Sequence, residues 1–156
     1  SNTPYREFKN WSHEGGIKTP LIAFWPEKIK KKGVVSHKPI HFIDVLPTLQ
    51  EVIGAYYPKK LNGNNILPSP GKSFLPQILG NNSTKRETMI FWQWKNGKAV
   101  REGNWKLVAY NNIWELYNLE NDPVEEINLI ETETEIATQL KLNYEDWANQ
   151  FEISDN

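Results

Sequence analysis

The sequence predicts a mixed α/β chain, α+β in its local order: a strand–helix layer, then a four-stranded antiparallel sheet packed by a long C-terminal helix. Three observations predict it. Between residues 88 and 119, four β-rich runs are separated by Asn96-Gly97, Gly103-Asn104 and Asn111-Asn112, residue types that tolerate the positive φ of tight hairpin turns. Further on, Ile136, Leu140, Tyr144, Trp147 and Phe151 recur at spacings of three or four, which makes one apolar helix face. Earlier, the apolar run Ile17–Trp25 is followed by an apolar stripe that begins at Asp44 and stops at Gly54, a strand and then a helix.

The elements follow in order. Residues 1–16 mix aromatic, basic and acidic side chains without a period, the signature of a loop with a function. Ile17–Trp25 reads as a buried strand stopped by Pro26. A Lys-rich loop covers 26–39, and His37 and His41 flank Pro39 in a helix-entry loop. A helix is predicted over 44–53, with Asp44 as N-cap, Pro47 in the first turn and Gly54 past the end. Residues 55–72, rich in Pro, Gly and Asn, read as a surface connection. A short helix is expected over 73–79, ended by Gly80. The break at Asn81–Thr84 marks the expected boundary between a first domain, 1–80, and a second, 81–156. The strands are predicted as Thr88–Trp94, Ala99–Arg101, Trp105–Tyr110 and Trp114–Leu119. Trp92, Trp94, Trp105 and Trp114 on them read as core rather than as a carbohydrate platform.

Composition excludes several classes. A chain of 156 residues with seven Trp and 38% hydrophobic residues is too apolar to be disordered. The longest clean apolar run, Leu21–Trp25, is far below the about 20 residues of a spanning helix, so no membrane partner is expected. The absence of cysteine excludes disulfides, a Cys nucleophile and thiolate metal sites within this chain. Residues 1–78 hold 11 Lys and Arg against 5 Asp and Glu; residues 79–156 hold 7 against 14. Lys28, Lys30, Lys31 and Lys32 crowd one loop and read as a solvated turn, so no nucleic-acid partner is expected. No HExxH pattern, Walker A sequence, GxGxxG or GxSxG elbow occurs. Asn-x-Ser/Thr triplets begin at Asn10, Asn81 and Asn82, but such triplets arise by chance in an Asn-rich chain. The chain opens at Ser1 without Met or an apolar leader, and is expected to be processed or part of something longer.

Five motifs stand in a fixed order. Lys9 lies five residues ahead of Glu14-Gly15-Gly16, followed by Pro20 and Leu21-Ile22-Ala23-Phe24-Trp25-Pro26. Then come Ile43-Asp44-Val45-Leu46-Pro47-Thr48-Leu49 and Gly71-Lys72-Ser73-Phe74-Leu75. Ala99-Val100-Arg101-Glu102-Gly103-Asn104-Trp105-Lys106-Leu107 follows, and last Glu115-Leu116-Tyr117-Asn118-Leu119 with Asp122-Pro123, Glu125 and Asn128-Leu129. In this order they resemble the C-terminal portion of the sulfatase family, in its arylsulfatase-like branch within the alkaline-phosphatase-like superfamily.

The resemblance implies the end of a sulfatase central α/β domain in 1–80 and its C-terminal antiparallel-sheet subdomain in 81–156. It implies hydrolysis of sulfate esters by a formylglycine nucleophile made from Cys or Ser, with calcium held by Asp and Asn, and His and Lys on the sulfate and leaving group. Lys9 matches the Lys that contacts the sulfate and the leaving oxygen, and is the candidate catalytic residue. His13 is the candidate substrate-binding residue, as part of a pocket wall, against the competing reading of a packed loop histidine. Glu14, Gly15 and Gly16 read as architectural, Asp122 and Pro123 as turn-shaping, and Arg6 and Trp11 as either lining substrate or packing. Many arylsulfatase relatives carry Trp-Glu-His where this chain has Trp92-Gln93-Trp94, so arylsulfatase specificity does not carry over. The nucleophile motif Cys/Ser-x-Pro-x-Arg and the Asp metal ligands are not in this sequence. The expectation is therefore a C-terminal fragment, inactive and calcium-free alone. Its nucleophile and calcium would come from an N-terminal half. The substrate would be a sulfated small molecule or glycan, and the location periplasmic or secreted. Two alternatives stand beside it: a phosphatase or phosphonate hydrolase of the same superfamily, and a non-catalytic carbohydrate-binding module.

Overall fold

The computed structural model describes residues 2–81, 86 and 88–153. Packing divides the chain into two compact units, Ser1–Pro20 with Glu87–Asn156, and Leu21–Arg86. This division differs from the one expected at residue 80: the first 20 residues pack with the sheet, because their charged side chains find their partners there. They contain one short helix, α1 (Glu14–Ile17).

Within Leu21–Arg86 the expected helix forms as α2 (Val45–Ile53), entered through a 3-10 turn at Phe42–Asp44. It stops at Gly54, whose φ of 68° is the left-handed stop the sequence called for. Asp44 is fully buried, and its carboxylate points backwards and sideways rather than capping α2. It accepts the N–H of His41 at 2.7 Å and of Lys72 at 2.8 Å, and pairs with Arg86. The Thr48 hydroxyl donates to the Asp44 carbonyl at 2.6 Å and accepts the Phe74 N–H at 3.0 Å. Gly71 allows this junction, since a Cβ there would lie 2.0 Å from the Ile43 carbonyl oxygen.

One expectation fails. Ile17 belongs to α1, and residues 18–25 form no strand; Ile22 and Phe24 are 91% and 87% exposed. A buried strand needs ladder partners and cover on both faces, and no described strand pairs with this run. Conversely, the connection 55–72 contains a hairpin, β1 (Lys60–Leu61) and β2 (Asn64–Asn65). Its turn is Asn62-Gly63, both at positive φ as a type I′ turn requires. The short helix is α3 (Leu75–Ile78). The break expected at 81–84 falls, from 82 onward, outside the described residues.

The meander forms as expected: β3 (Ile90–Trp94), β4 (Gly97–Glu102), β5 (Trp105–Tyr110) and β6 (Ile113–Asn118), antiparallel and in sequence order. Side chains alternate between its faces. Phe91, Val100, Leu107 and Leu116 are in register across the four strands. They meet Ala137, Leu140 and Tyr144 of α4 (Thr134–Gln150) in one core, with Trp105, Trp114 and Trp147 at its margin. The opposite face buries Ala99, Val108 and Tyr117, with Trp92 beside them. Trp92, Trp105 and Trp114 are therefore packing residues, as expected, while Trp94 is 58% exposed.

The first turn sits one residue earlier than Asn-Gly predicts. Trp94 pairs with Gly97, so Lys95-Asn96 is the loop and Lys95 takes the positive φ of 50°. Gly97 is a buried strand residue, and a Cβ on it would lie 3.2 Å from the Ser12 hydroxyl oxygen. The glycine serves close approach of the N-terminal loop. Among the described residues no helix is long and apolar enough to cross a membrane.

Leu140 joins α4 to the centre of the sheet. Leu140→Ala should lower the unfolding free energy by about 2–5 kcal/mol, measured by urea denaturation. A loss below about 0.5 kcal/mol would show that α4 does not hold the sheet.

Candidate functional site: a lysine turn on a charged sheet face

The sheet face away from α4 carries charge. Lys106, the second residue of β5, is fully buried. Its Nζ lies 2.9 Å from Glu14 Oε1 and 2.7 Å from Glu125 Oε1, and both acids are buried. The Glu14 N–H donates to Glu125 Oε2 at 2.7 Å. Three remote segments meet here: α1, β5 and the loop after β6. A buried ammonium is tolerable only with such partners. That loop is shaped as expected, with the Asp122 carboxylate accepting the N–H groups of Glu126 and Ile127 at 3.1 and 2.8 Å.

A second cluster adjoins it. Glu115 of β6 lies 2.8 Å from His13 Nε2 and 3.5 Å from Arg6 Nη2. Arg6 also donates to the Tyr117 hydroxyl, and at 3.0 Å to the Glu125 carbonyl. Burial pushes the Glu115 carboxyl up, but the His13 hydrogen bond and the Arg6 charge prevail and hold it below its ordinary value. Burial and the Glu115 charge push the Tyr117 phenol well up, so it stays a neutral hydroxyl.

These clusters seat a turn. The Trp11 N–H donates to the Phe8 carbonyl at 2.8 Å, which places Lys9 and Asn10 at the tip. The turn rests directly on the Gly15-Gly16 backbone. A Cβ on Gly15 would lie 2.2 Å from the Arg6 carbonyl oxygen, and one on Gly16 1.9 Å from that of Trp11. Trp11 stacks on Tyr110 with ring centroids 3.7 Å apart. Lys9 at the tip is exposed, with no ion pair or hydrogen bond among the described residues.

The two candidate residues thus part company. Lys9 is presented to solvent. His13 is 2% exposed and packed between the loop and Glu115, the competing reading of the sequence. Arg6 holds the loop rather than projecting from it. Gln93 faces α4, where its carbonyl accepts the Tyr144 hydroxyl proton, and Trp94 faces the other way. Lys106, Glu115 and Glu125 were legible only as letters of motifs. The signal for Lys106 and Glu115 is charge at strand positions that alternate with apolar residues; Glu125, in the loop after β6, carries no such signal. For calcium the fit is poor: among the described residues no group of three or more His, Asp or Glu is placed to hold a metal, and Glu14, Glu115 and Glu125 are occupied by cations.

Two outcomes check the site. Lys106→Met leaves Glu125 buried without its cation and Glu14 with only Lys18 at 3.7 Å, and should destabilise the sheet unit by about 3–5 kcal/mol, read by urea denaturation; near-wild-type stability would remove the cluster from its holding role. Glu115 gives a pH signature. Its folded value is depressed, so its contribution is present above the ordinary carboxylate value of 4.5 and is lost as pH falls through the folded value. The stability gap between the wild type and Glu115→Gln should hold at neutral pH and close in acid. A gap that widens in acid would refute the sign.

Residues 7–150 match the family model described as N-sulphoglucosamine sulphohydrolase, C-terminal. A sulfatase of Formosa agariphila is 31% identical over 147 residues, covering 83% of this chain and 26% of that protein. An N-acetylgalactosamine-6-sulfatase of Canis lupus familiaris is 29% identical over 147 residues, covering 91% of this chain and 27% of that one. Among solved structures, one from a Bacteroides thetaiotaomicron locus for metabolism of multiple glycosaminoglycans superposes with a TM-score of 0.72 at 25% identity, covering 93% of this chain and 32% of that one. The chain spans about a quarter of these curated relatives and about a third of that structure. The match runs through the lysine turn, the buried charge cluster, the meander and all of α4, and the chain belongs to the sulfatase family, to whose C-terminal portion it corresponds.

Proposed function

We propose that this chain is the C-terminal part of an enzyme that hydrolyses the sulfate ester of a sugar, and that Lys9 is its contribution to the chemistry. The observation that carries the reading is the presentation of Lys9: an unpaired ammonium at the tip of a turn whose base is locked by Gly15, Gly16 and the Trp11–Tyr110 stack. An ammonium is a compact charge with three donors. Placed against a sulfate ester, it donates to a sulfate oxygen and to the bridging oxygen. As the sulfur–oxygen bond breaks, negative charge grows on the leaving oxygen, and Lys9 stabilises it or protonates it.

The formylglycine nucleophile and the calcium of the expected reaction belong, on this reading, to residues outside this chain. The exposed apolar residues of Leu21–Arg86, Ile22, Phe24, Phe42 and Ile53 among them, support further chain packing against that unit. The sugar substrate is supported by the relative that acts on N-acetylgalactosamine 6-sulfate and by the glycosaminoglycan context of the solved neighbour. A periplasmic or secreted location for the parent protein is part of the same reading. A phosphate or phosphonate ester would engage the same lysine, and family membership favours sulfate. Burial of Trp92, Trp105 and Trp114 counts against a free-standing carbohydrate platform.

The test is turnover of an aryl sulfate with calcium. In the parent enzyme, Lys9→Ala should cut kcat by about 10²–10³-fold and leave the urea midpoint unchanged, because Lys9 holds nothing in place. Near-normal turnover would refute the role. The 156-residue chain alone should show no turnover above buffer.

A further inference from the structure

Trp94 ends β3 on the sheet face that seats the lysine turn, and it is 58% exposed with no ring or hydrogen-bond partner for its indole among the described residues. Its surroundings are specific. Its backbone partner is Gly97, whose missing Cβ lets Ser12 come within about a van der Waals contact. Gly97 is in turn paired with Tyr110, which stacks on Trp11. Ser12 and Trp11 are the residues directly after the Lys9 turn. The indole, the stacked pair and the free ammonium therefore belong to one end of one sheet.

The same end is polar at its rim. The turns Lys95-Asn96 and Asn111-Asn112 meet there: the Asn111 N–H donates to the Asn96 carbonyl at 3.2 Å, and the Asn96 amide donates to Asn111 Oδ1 at 2.7 Å. Asn96, Asn111 and Asn112 are all exposed. A flat indole beside exposed amides and a cation matches a sulfated sugar. The C–H face of a pyranose ring packs on the indole, the amides meet hydroxyls, and the ammonium meets the sulfate.

We infer that Trp94 forms a stacking subsite for a pyranose ring of a sulfated glycan, at the sheet end that bears Lys9. The inference rests on the sulfated-sugar reading for its ligand. It assigns Trp94 a task that Trp92, Trp105 and Trp114 cannot share, since those three are packed. It also separates two adjacent residues: Gln93 is held by Tyr144 on the α4 side, so specificity at this edge rests on Trp94.

The experiment titrates the 156-residue chain with a chondroitin 6-sulfate hexasaccharide and with the desulfated hexasaccharide, following indole N–H signals by NMR. The Trp94 signal is identified by its loss in Trp94→Phe. It should shift saturably with both sugars, because stacking uses the ring face, and more weakly with the desulfated one. Trp94→Ala should weaken binding by about 2- to 10-fold; Trp94→Phe should retain part of it. Unchanged binding in Trp94→Ala, or no saturable shift of the Trp94 signal, would overturn the subsite, as would shifts confined to the sulfated sugar and moved only by Lys9→Ala. Sulfate release by the parent enzyme is read separately. Stacking without turnover would sink the sulfatase reading and leave the subsite standing; turnover with a silent Trp94 would do the reverse.

Discussion

The buried ion pair of Lys106 with Glu14 and Glu125 is the constraint on which the sheet unit depends. A lysine charge on a packed strand face needs partners, since burying a lone ammonium costs enough to unfold a small domain or to neutralise the group. Both partners come from outside the sheet. Glu14 begins α1, and Glu125 lies beyond β6 at a positive φ of 63°. The fold must therefore bring the N-terminal segment across the sheet before Lys106 is satisfied. A methionine at position 106 with apolar partners would bury as easily, but it would accept many loop arrangements. An ammonium with two carboxylates at 2.7 and 2.9 Å accepts one. Arg6 and His13 repeat the device at Glu115 of β6.

The Leu21–Arg86 unit uses the opposite charge in the same way. There the buried carboxylate of Asp44 gathers the N–H groups of His41 and Lys72 and the guanidinium of Arg86. The charge asymmetry of the chain follows these units more sharply than it follows its two halves. Leu21–Arg86 holds ten Lys and Arg against three Asp and Glu, and the other unit eight against sixteen. Each unit is thus organised by one buried ion of the sign that is scarcer in the unit as a whole. A scarce charge has many available partners, which makes its burial easier to satisfy.

What was legible in the sequence was what local chemistry decides. The meander, α2 with its Gly54 stop, and the apolar face of α4 are periodic patterns with turn residues between them, and all three form. The errors have physical causes. Asn96-Gly97 was read as a turn because Asn-Gly usually is one; here tertiary packing recruits the glycine to admit Ser12, and the turn moves to Lys95-Asn96. Asn62-Gly63, where the same rule does hold, lies inside a stretch that reads as a surface connection, because its flanking strands are only two residues each. Ile17–Trp25 has a strand's composition, but a strand is a relation between segments, and none of the described ones pairs with it. Of the candidate site, the sequence marks Lys9 alone, by its local spacing to Glu14. Its supports are not marked: Lys106 lies 92 residues from Glu14, and Glu115 lies 102 from His13.

On the proposed role of Lys9, the stiffness of its turn would bear on the chemistry. A lysine side chain has about 2 kcal/mol of rotamer entropy to lose when it is fixed on a substrate, and a mobile backbone would add to that cost. Here the backbone below it has already been ordered by folding. Gly15 and Gly16 lie flush against the carbonyls of Arg6 and Trp11, Trp11 is stacked on Tyr110, and His13 is tied to β6. Only the four-carbon stem remains free. The buried charges at the base thus convert folding energy into a preorganised cation at the tip, which explains why so much charge is sunk beneath a loop whose tip bears only one solvent-facing ammonium.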